Sequence, residues 1–268
     1  MVALAESLGN LIIEVAEAEI VPRYRNLAAA DIIGKPTAID PDDLVTSADR
    51  AAETALSLRL TELLPGSCVV GEEAVAEDPR ILDAMKGAAP VWLVDPIDGT
   101  KNFARGQGAF GTMVALVEQG QIVLSAIYLI EQRDLYVAER GAGTLRNGER
   151  LRPGPSSREE LSGTVYTKFM DPTVLSTLNL APRGCRLFPP PMCAAFEYAR
   201  LARGDADFAV YYRLLPWDHA PGALILREAG GVARHLDEKE YLPFKADSLL
   251  LLSPSDVCWQ TMRVRLQR

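Results

Sequence analysis

A mixed α/β fold is what the sequence predicts. Helices pack on an antiparallel sheet up to about residue 150, and strands alternate with helices after it. Three observations carry this. Leu4, Leu8, Leu11, Ile12, Val15 and Ala16 recur at helical spacing. Apolar runs over 110–118, 122–130 and 135–138, separated by Gln119-Gly120 and Gln132-Arg133-Asp134, read as a β-meander. Beyond the stretch Arg152-Pro153-Gly154-Pro155-Ser156-Ser157, strand-like and helical runs alternate. That stretch is the natural boundary between an N-terminal subdomain of residues 1–153 and a C-terminal one of residues 154–268.

In order, the first helix spans 2–26, and a polar, Pro-containing loop follows over 34–43. Thr46 with Asp49 three residues on reads as a capping box opening a helix to Leu64, which Pro65-Gly66 stops. Residues 68–71 form a short buried strand ending in Glu72-Glu73, an acidic first turn for the next helix. A second buried strand starts at Val91, and the meander follows it. Arg146-Asn147-Gly148-Glu149 carries a further hairpin signal. In the second half, 163–168 reads as a strand, 172–178 as a helix, 192–203 as a helix and 207–212 as a strand. The Pro216–Gly222 stretch opens a helix to Ala229 closed by Gly230-Gly231, then strands at 232–235 and 248–252 precede a terminal helix. There Asp218 reads as the N-cap and Pro221 as a first-turn residue.

Composition narrows the function. The chain has 268 residues, 48% of them hydrophobic, and a net charge of −8 without a basic run, so nucleic-acid binding has no electrostatic footprint. No apolar run approaches the roughly 18–20 residues that span a bilayer. The N-terminus carries Glu6 and Glu14 and lacks a positive n-region, a poor signal peptide. Four scattered cysteines without CxxC spacing argue against a zinc cluster or disulfide framework and fit a reducing cytosol. Of the two histidines, His219 reads as structural and His235 sits far from the acids, so Ser–His or Cys–His nucleophilic catalysis has little support.

The chemistry lies at Val91-Trp92-Leu93-Val94-Asp95-Pro96-Ile97-Asp98-Gly99-Thr100, an apolar strand ending in two carboxylates and a glycine turn. Strand ends of this kind hold ligand chemistry in open α/β sheets. Asp95 and Asp98, three apart on a backbone bent by Pro96 and with the Ile97 carbonyl between them, can wrap a hard cation such as magnesium. The backbone N–H groups of Gly99 and Thr100 can meet a phosphate oxygen. Taken singly, each acid has a plain alternative: a polar turn for Asp95 and Asp98, a helix cap for Asp49 and Asp218, an acidic helix start for Glu72.

Taken together, Asp43-Leu44-Val45-Thr46-Ser47-Ala48-Asp49, Gly71-Glu72-Glu73, Asp95 to Thr100 followed by Asn102-Phe103, Trp217-Asp218 with Gly222, and Glu228-Ala229-Gly230-Gly231 resemble, in order, the inositol monophosphatase family of magnesium-dependent, lithium-sensitive phosphatases. The resemblance implies a layered αβαβα sandwich of the inositol monophosphatase and fructose-1,6-bisphosphatase type, commonly a homodimer. It implies that Glu72, Asp95 and the Ile97 carbonyl bind one magnesium, that Asp95, Asp98 and Asp218 bind a second, and that a third, weaker ion sits near Glu72. Asp49 and Thr100 would orient and help deprotonate the attacking water, and the Gly99 and Thr100 amides would hold the phosphate. The physics is consistent: five carboxylates around a phosphate dianion need two or three Mg²⁺ to offset the repulsion.

The specificity positions depart from that family's inositol pattern. Met192-Cys193 precede Ala194-Ala195 where a Gly-Ser or Gly-Thr pair is usual. Tyr211 stands seven residues before Asp218, where a glutamate grips the inositol hydroxyls. Lys101, Arg105 and Pro221 also differ. Losing a carboxylate and gaining an aromatic favours a less polyhydroxylated small phosphate monoester. Three rivals remain: a sister substrate (3′-phosphoadenosine 5′-phosphate, histidinol phosphate or a sugar bisphosphate), a haloacid-dehalogenase-type phosphatase, whose paired aspartates lie two rather than three apart, and a non-catalytic binding or regulatory member, for which lost ligands would be the mark.

Overall fold

The computed structural model describes residues 2–36, 40–152, 160–244 and 248–267. Helix α1 (Val2–Val15) passes into a π turn (Ala16–Ile20) and a 3₁₀ turn (Val21–Arg23), so the helix expected over 2–26 is shorter. Pro22 has no N–H to continue the ladder, and the chain first widens, Val21 N–H donating to Ala16 O. The expected loop over 34–43 is framed by a short antiparallel ladder, β1 (Ile32–Gly34) with β2 (Leu44–Thr46). Then come α2 (Ser47–Leu63), β3 (Cys68–Gly71), α3 (Glu72–Glu77) and β4 (Val91–Asp98).

β3 and β4 run parallel, joined through α3, whereas the sequence suggested an antiparallel sheet throughout. This pair decides the site, because parallel neighbours end at the same sheet edge. After α4 (Thr100–Ala104), the meander β5 (Gly111–Glu118), β6 (Gln121–Leu129), β7 (Asp134–Glu139), β8 (Gly143–Arg146) and β9 (Glu149–Arg150) extends the sheet to seven strands in the order β3 to β9. Asn147-Gly148, both at positive φ, make the two-residue turn between β8 and β9. The expected boundary stretch lies, apart from Arg152, outside the described residues.

The second half has β10 (Leu161–Val165), α5 (Pro172–Thr177), β11 (Cys185–Leu187), α6 (Ala194–Arg203), β12 (Phe208–Tyr211), α7 (Pro216–Glu228), β13 (Val232–His235), β14 (Leu250–Ser253) and α8 (Asp256–Leu266). Its five strands pair in the order β11-β10-β12-β14-β13. β10 starts two residues earlier than expected, and just past its end Tyr166 N still donates to Val210 O of β12 at 2.9 Å.

Alternation within single strands sorts the layers. Trp92 and Val94 of β4 face α1 and α2, while Val91 and Leu93 face α6 and α7. α6 and α7 are packed between the two sheets, and α8 covers the outer face of the smaller one through Trp259 and Met262. Reading across gives helix, sheet, helix, sheet, helix. Among the described residues no helix is long and apolar enough to cross a membrane.

Candidate active site

β4 is buried along its length and runs through Pro96 to Asp98, ending at the glycine turn as expected. Its pairing with β5 shifts between Asp95, opposite Met113, and Asp98, opposite Gly111. This bulge places Pro96 and Ile97 against Thr112 alone, and Thr112 Oγ1 donates to Pro96 O at 2.9 Å. A bulge re-aims side chains, and here both carboxylates face one cavity of about 160 Å³. Gly99 follows in the left-handed region at φ 85°, where a Cβ would lie 2.6 Å from Ala109 O. Only glycine fits this turn into α4. Asn102 Nδ2 then donates to Ala109 O and Pro191 O, tying α4 to the segment that leads into α6.

Glu72 arrives from the parallel neighbour. Glu53 of α2 accepts from the backbone N–H of Glu73 and of Ala74, each at 2.8 Å, and so seats the start of α3. A Cβ at Gly71 would lie 2.4 Å from the Glu53 carboxyl carbon, which explains the glycine before Glu72. Asp218 comes from α7. That helix starts at Pro216, whose fixed φ suits the first helical position, and Leu215 is the N-cap. Asp218 is therefore the third helical residue rather than the N-cap, and Pro221 falls in the second turn rather than the first. Oxygens of Glu72, Asp95 and Asp218 lie within 4.8 Å of one another. Among the described residues Asp95 Oδ1, which is buried, has no hydrogen-bond partner.

Asp98 shares the cavity, but its Oδ2 accepts from Ala195 N at 2.6 Å and from the Cys193 thiol at 3.0 Å. It thus also satisfies the start of α6. Asp49 forms the expected capping box, its Oδ2 accepting from Thr46 N at 2.8 Å. Its Oδ1 faces Thr100 Oγ1 at 3.3 Å, and the same hydroxyl lies 2.9 Å from Ile97 O.

Electrostatics mark the cluster as short of positive charge. Burial pushes Asp95 well above the carboxylate range, and the charges of Glu72, Asp98, Asp218 and Asp49 add to it. Burial, then Glu72 and Asp98, does the same to Asp218. Burial raises Asp98 to about 6 against the Ala195 hydrogen bond, and Asp49 to about 7 against those from Thr46. Several cationic side chains were not anticipated as site residues. Lys35 Nζ bonds Glu72 at 2.8 Å and Glu73 at 2.7 Å. Burial works against its charge, but the two glutamates outweigh this and hold it above the usual lysine range. Asp40 accepts from Lys101 at 3.0 Å and Lys168 at 2.8 Å. Nothing in a loop signature such as Gly34-Lys35-Pro36 announces such a contact.

Beside the acids lies a second cavity of about 140 Å³, walled by Tyr166, Phe169, Met192, Cys193, Ala194 and Tyr211. All four residues expected to set specificity, Met192, Cys193, Ala194 and Tyr211, therefore border one space. Tyr166 and Tyr211 stack with centroids 4.1 Å apart. His219 is structural, as expected: burial lowers it to about 4, so the neutral ring can donate from Nε2 to Arg213 O and accept from Tyr198 OH.

The chain matches the profile of the inositol monophosphatase family over residues 2–262. It is 32% identical over 226 residues to an inositol-1-monophosphatase of Bacillus subtilis, covering 82% of each chain. A fructose-1,6-bisphosphatase/inositol-1-monophosphatase of Thermotoga maritima is 32% identical over 201 residues, covering 74% of this chain and 73% of that one. Among solved structures, an inositol monophosphatase of Thermotoga maritima superposes with a TM-score of 0.76 at 26% identity, with 98% of each chain covered.

Proposed function

The chain belongs to the inositol monophosphatase family, and from that premise we propose that it is a magnesium-dependent phosphomonoesterase that hydrolyses a small phosphate monoester with water. The observation that carries the reading is Asp95 Oδ1, a buried carboxylate oxygen without a partner among the described residues, beside oxygens of Glu72 and Asp218. An unpaired buried charge among like charges is costly unless a cation meets it. All-oxygen donors suit magnesium, which keeps water and phosphate among its ligands.

In this reading Glu72, Asp95 and the Ile97 carbonyl would hold one ion, and Asp95, Asp98 and Asp218 would hold a second. A third ion at Glu72 would compete with the tethered charge of Lys35, which favours two. Bound magnesium supplies charge neutralisation, polarises the phosphoryl oxygens and lowers the pKa of a water. Thr100 Oγ1 has a single proton, which it gives to Ile97 O or to Asp49 Oδ1. Its lone pairs then remain to accept from the attacking water, and Asp49 lies next in line for the proton. Gly99 and Thr100 offer amides at the start of α4 to the phosphate. Lys101 and Asp40 border the acid cavity, and Lys168 reaches that cavity's edge through its ion pair with Asp40.

The wall at Tyr166, Phe169 and Tyr211 favours a leaving group other than a polyol. A phosphate-release screen over inositol, sugar, nucleotide and amino-alcohol monophosphates, with and without Mg²⁺, tests both points. Release only with Mg²⁺, and with myo-inositol 1-phosphate not the best substrate, is expected. Silence across the whole panel would make the chain a binding module, and a trapped phospho-aspartate would replace water as the attacking group.

A further inference from the structure

Among the described residues, Lys35, Lys101, Lys168 and Arg213 are cationic side chains that line the site or pair with acids lining it. Three of them are already paired: Lys35 with Glu72 and Glu73, Lys101 and Lys168 with Asp40. Arg213 differs. Among the described residues no carboxylate oxygen comes within 4.0 Å of its guanidinium, although it borders both cavities. The guanidinium instead rests over the Phe169 ring, 4.9 Å from the centroid. It is half-buried, and its backbone is fixed because His219 Nε2 lies 3.1 Å from Arg213 O. Its charge reaches Asp218 from beyond ion-pair distance, and a half-buried guanidinium, stacked and backbone-anchored but in contact with no carboxylate, is preorganised for an anion brought by a ligand.

The rest of the second cavity says what carries that anion. Tyr166 and Tyr211 stack nearly parallel, at 16°, and Phe169 and Tyr212 close the space. The only carboxylates on its wall, among the described residues, are Asp98 and Asp218, both assigned above to cations. A polyol would find no free carboxylate acceptor there, whereas a flat ring would meet aromatic and thioether surfaces. The volume of about 140 Å³ is small beside the roughly 300–1,000 Å³ of larger ligand pockets. It suits one ring.

We propose that the substrate is the phosphate monoester of an alcohol bearing a planar ring and a second anionic group, and that Arg213 reads that anion. This rests on the phosphomonoesterase reading above. The test compares benzyl phosphate, 4-carboxybenzyl phosphate, glycerol 2-phosphate and myo-inositol 1-phosphate at fixed Mg²⁺. It measures kcat/KM for the wild type, Arg213→Gln and Arg213→Lys. The wild type should prefer the carboxylated ring ester over benzyl phosphate by at least about tenfold, the scale of one desolvated charge pair. Arg213→Gln should erase that preference, and Arg213→Lys should keep part of it. An equal loss on all four esters in Arg213→Gln would make Arg213 a ligand of the scissile phosphate and overturn the proposal. So would myo-inositol 1-phosphate outrunning both ring esters. No release from any ester would sink the phosphatase reading and this inference with it, whereas release without ring or anion preference would sink the inference alone.

Discussion

Asp49 does two things with one carboxylate. Oδ2 caps α2 through Thr46, and Oδ1 faces the Thr100 hydroxyl. Asp98 likewise satisfies Ala195 N while bordering the acid cavity. Capping and chemistry are compatible because a helix start welcomes negative charge and fixes its direction. This is why each acid, read alone, had an adequate structural explanation. Thr100→Val isolates the proposed water-orienting role, since valine keeps the shape and loses the hydroxyl. We expect kcat to fall about a hundredfold with KM shifting less than about threefold, read in steady-state phosphate release. A loss confined to KM would assign the hydroxyl to substrate binding.

At the scale of elements, the parallel β3–β4 pair brings Glu72 and Asp95 to one edge, and the bulge at Pro96-Ile97 turns Asp98 to join them. Gly71→Ala should disturb this placement without touching a proposed ligand. Its methyl would press on Glu53 and break the two bonds that seat α3. The expected cost is about 1–3 kcal/mol in urea unfolding, with weaker Mg²⁺ dependence of activity. An unchanged midpoint and activity would show that α3 stands without Glu53. Much of this level was legible in the sequence. The apolar runs located β4 to β7, Asn147-Gly148 marked its hairpin, and the acids were found at element starts and ends. Strand direction was not legible, because period-2 patterning is the same for parallel and antiparallel neighbours. The Asp40, Lys101 and Lys168 contacts were hidden for a different reason: Lys168 lies 128 positions from Asp40, and no local pattern encodes such a meeting.

For the whole molecule, the layers are joined by polar clamps away from the site. Glu228 at the end of α7 accepts from the backbone N–H of Gly141 and of Gly143, each at 2.8 Å, which gives the Glu228 to Gly231 stretch a structural role. Asp134 accepts two bonds from Arg146 and one from Asn147, and Arg203 of α6 stands 4.0 Å away. Burial alone would raise the Asp134 carboxyl, but the Arg146 hydrogen bonds and charge outweigh it and hold it below the usual range. A depressed carboxylate contributes stability above its unfolded pKa of about 4, and the contribution disappears as pH falls through the lower folded value. Asp134→Asn should therefore lower stability by about 1–2 kcal/mol at pH 7, and by progressively less below pH 4. A deficit independent of pH would trace the effect to packing.

In the proposed reading the acids around Asp95 are held together against their own repulsion in order to bind cations. Asp95→Asn tests it most directly through thermal unfolding with and without millimolar Mg²⁺, alongside phosphate release. Replacing a buried carboxyl whose ionisation burial and its acidic neighbours oppose should relieve the metal-free protein, so the variant should melt a few degrees higher than the wild type in chelator, at about 2–4 °C per kcal/mol. With Mg²⁺ the wild type should climb, because a ligand that binds only the folded state stabilises it. The variant should respond weakly and lose more than about a hundredfold in activity. A wild type whose melting ignores Mg²⁺, or a variant that melts lower without it and still releases phosphate, would rule out a cation-binding role for these acids.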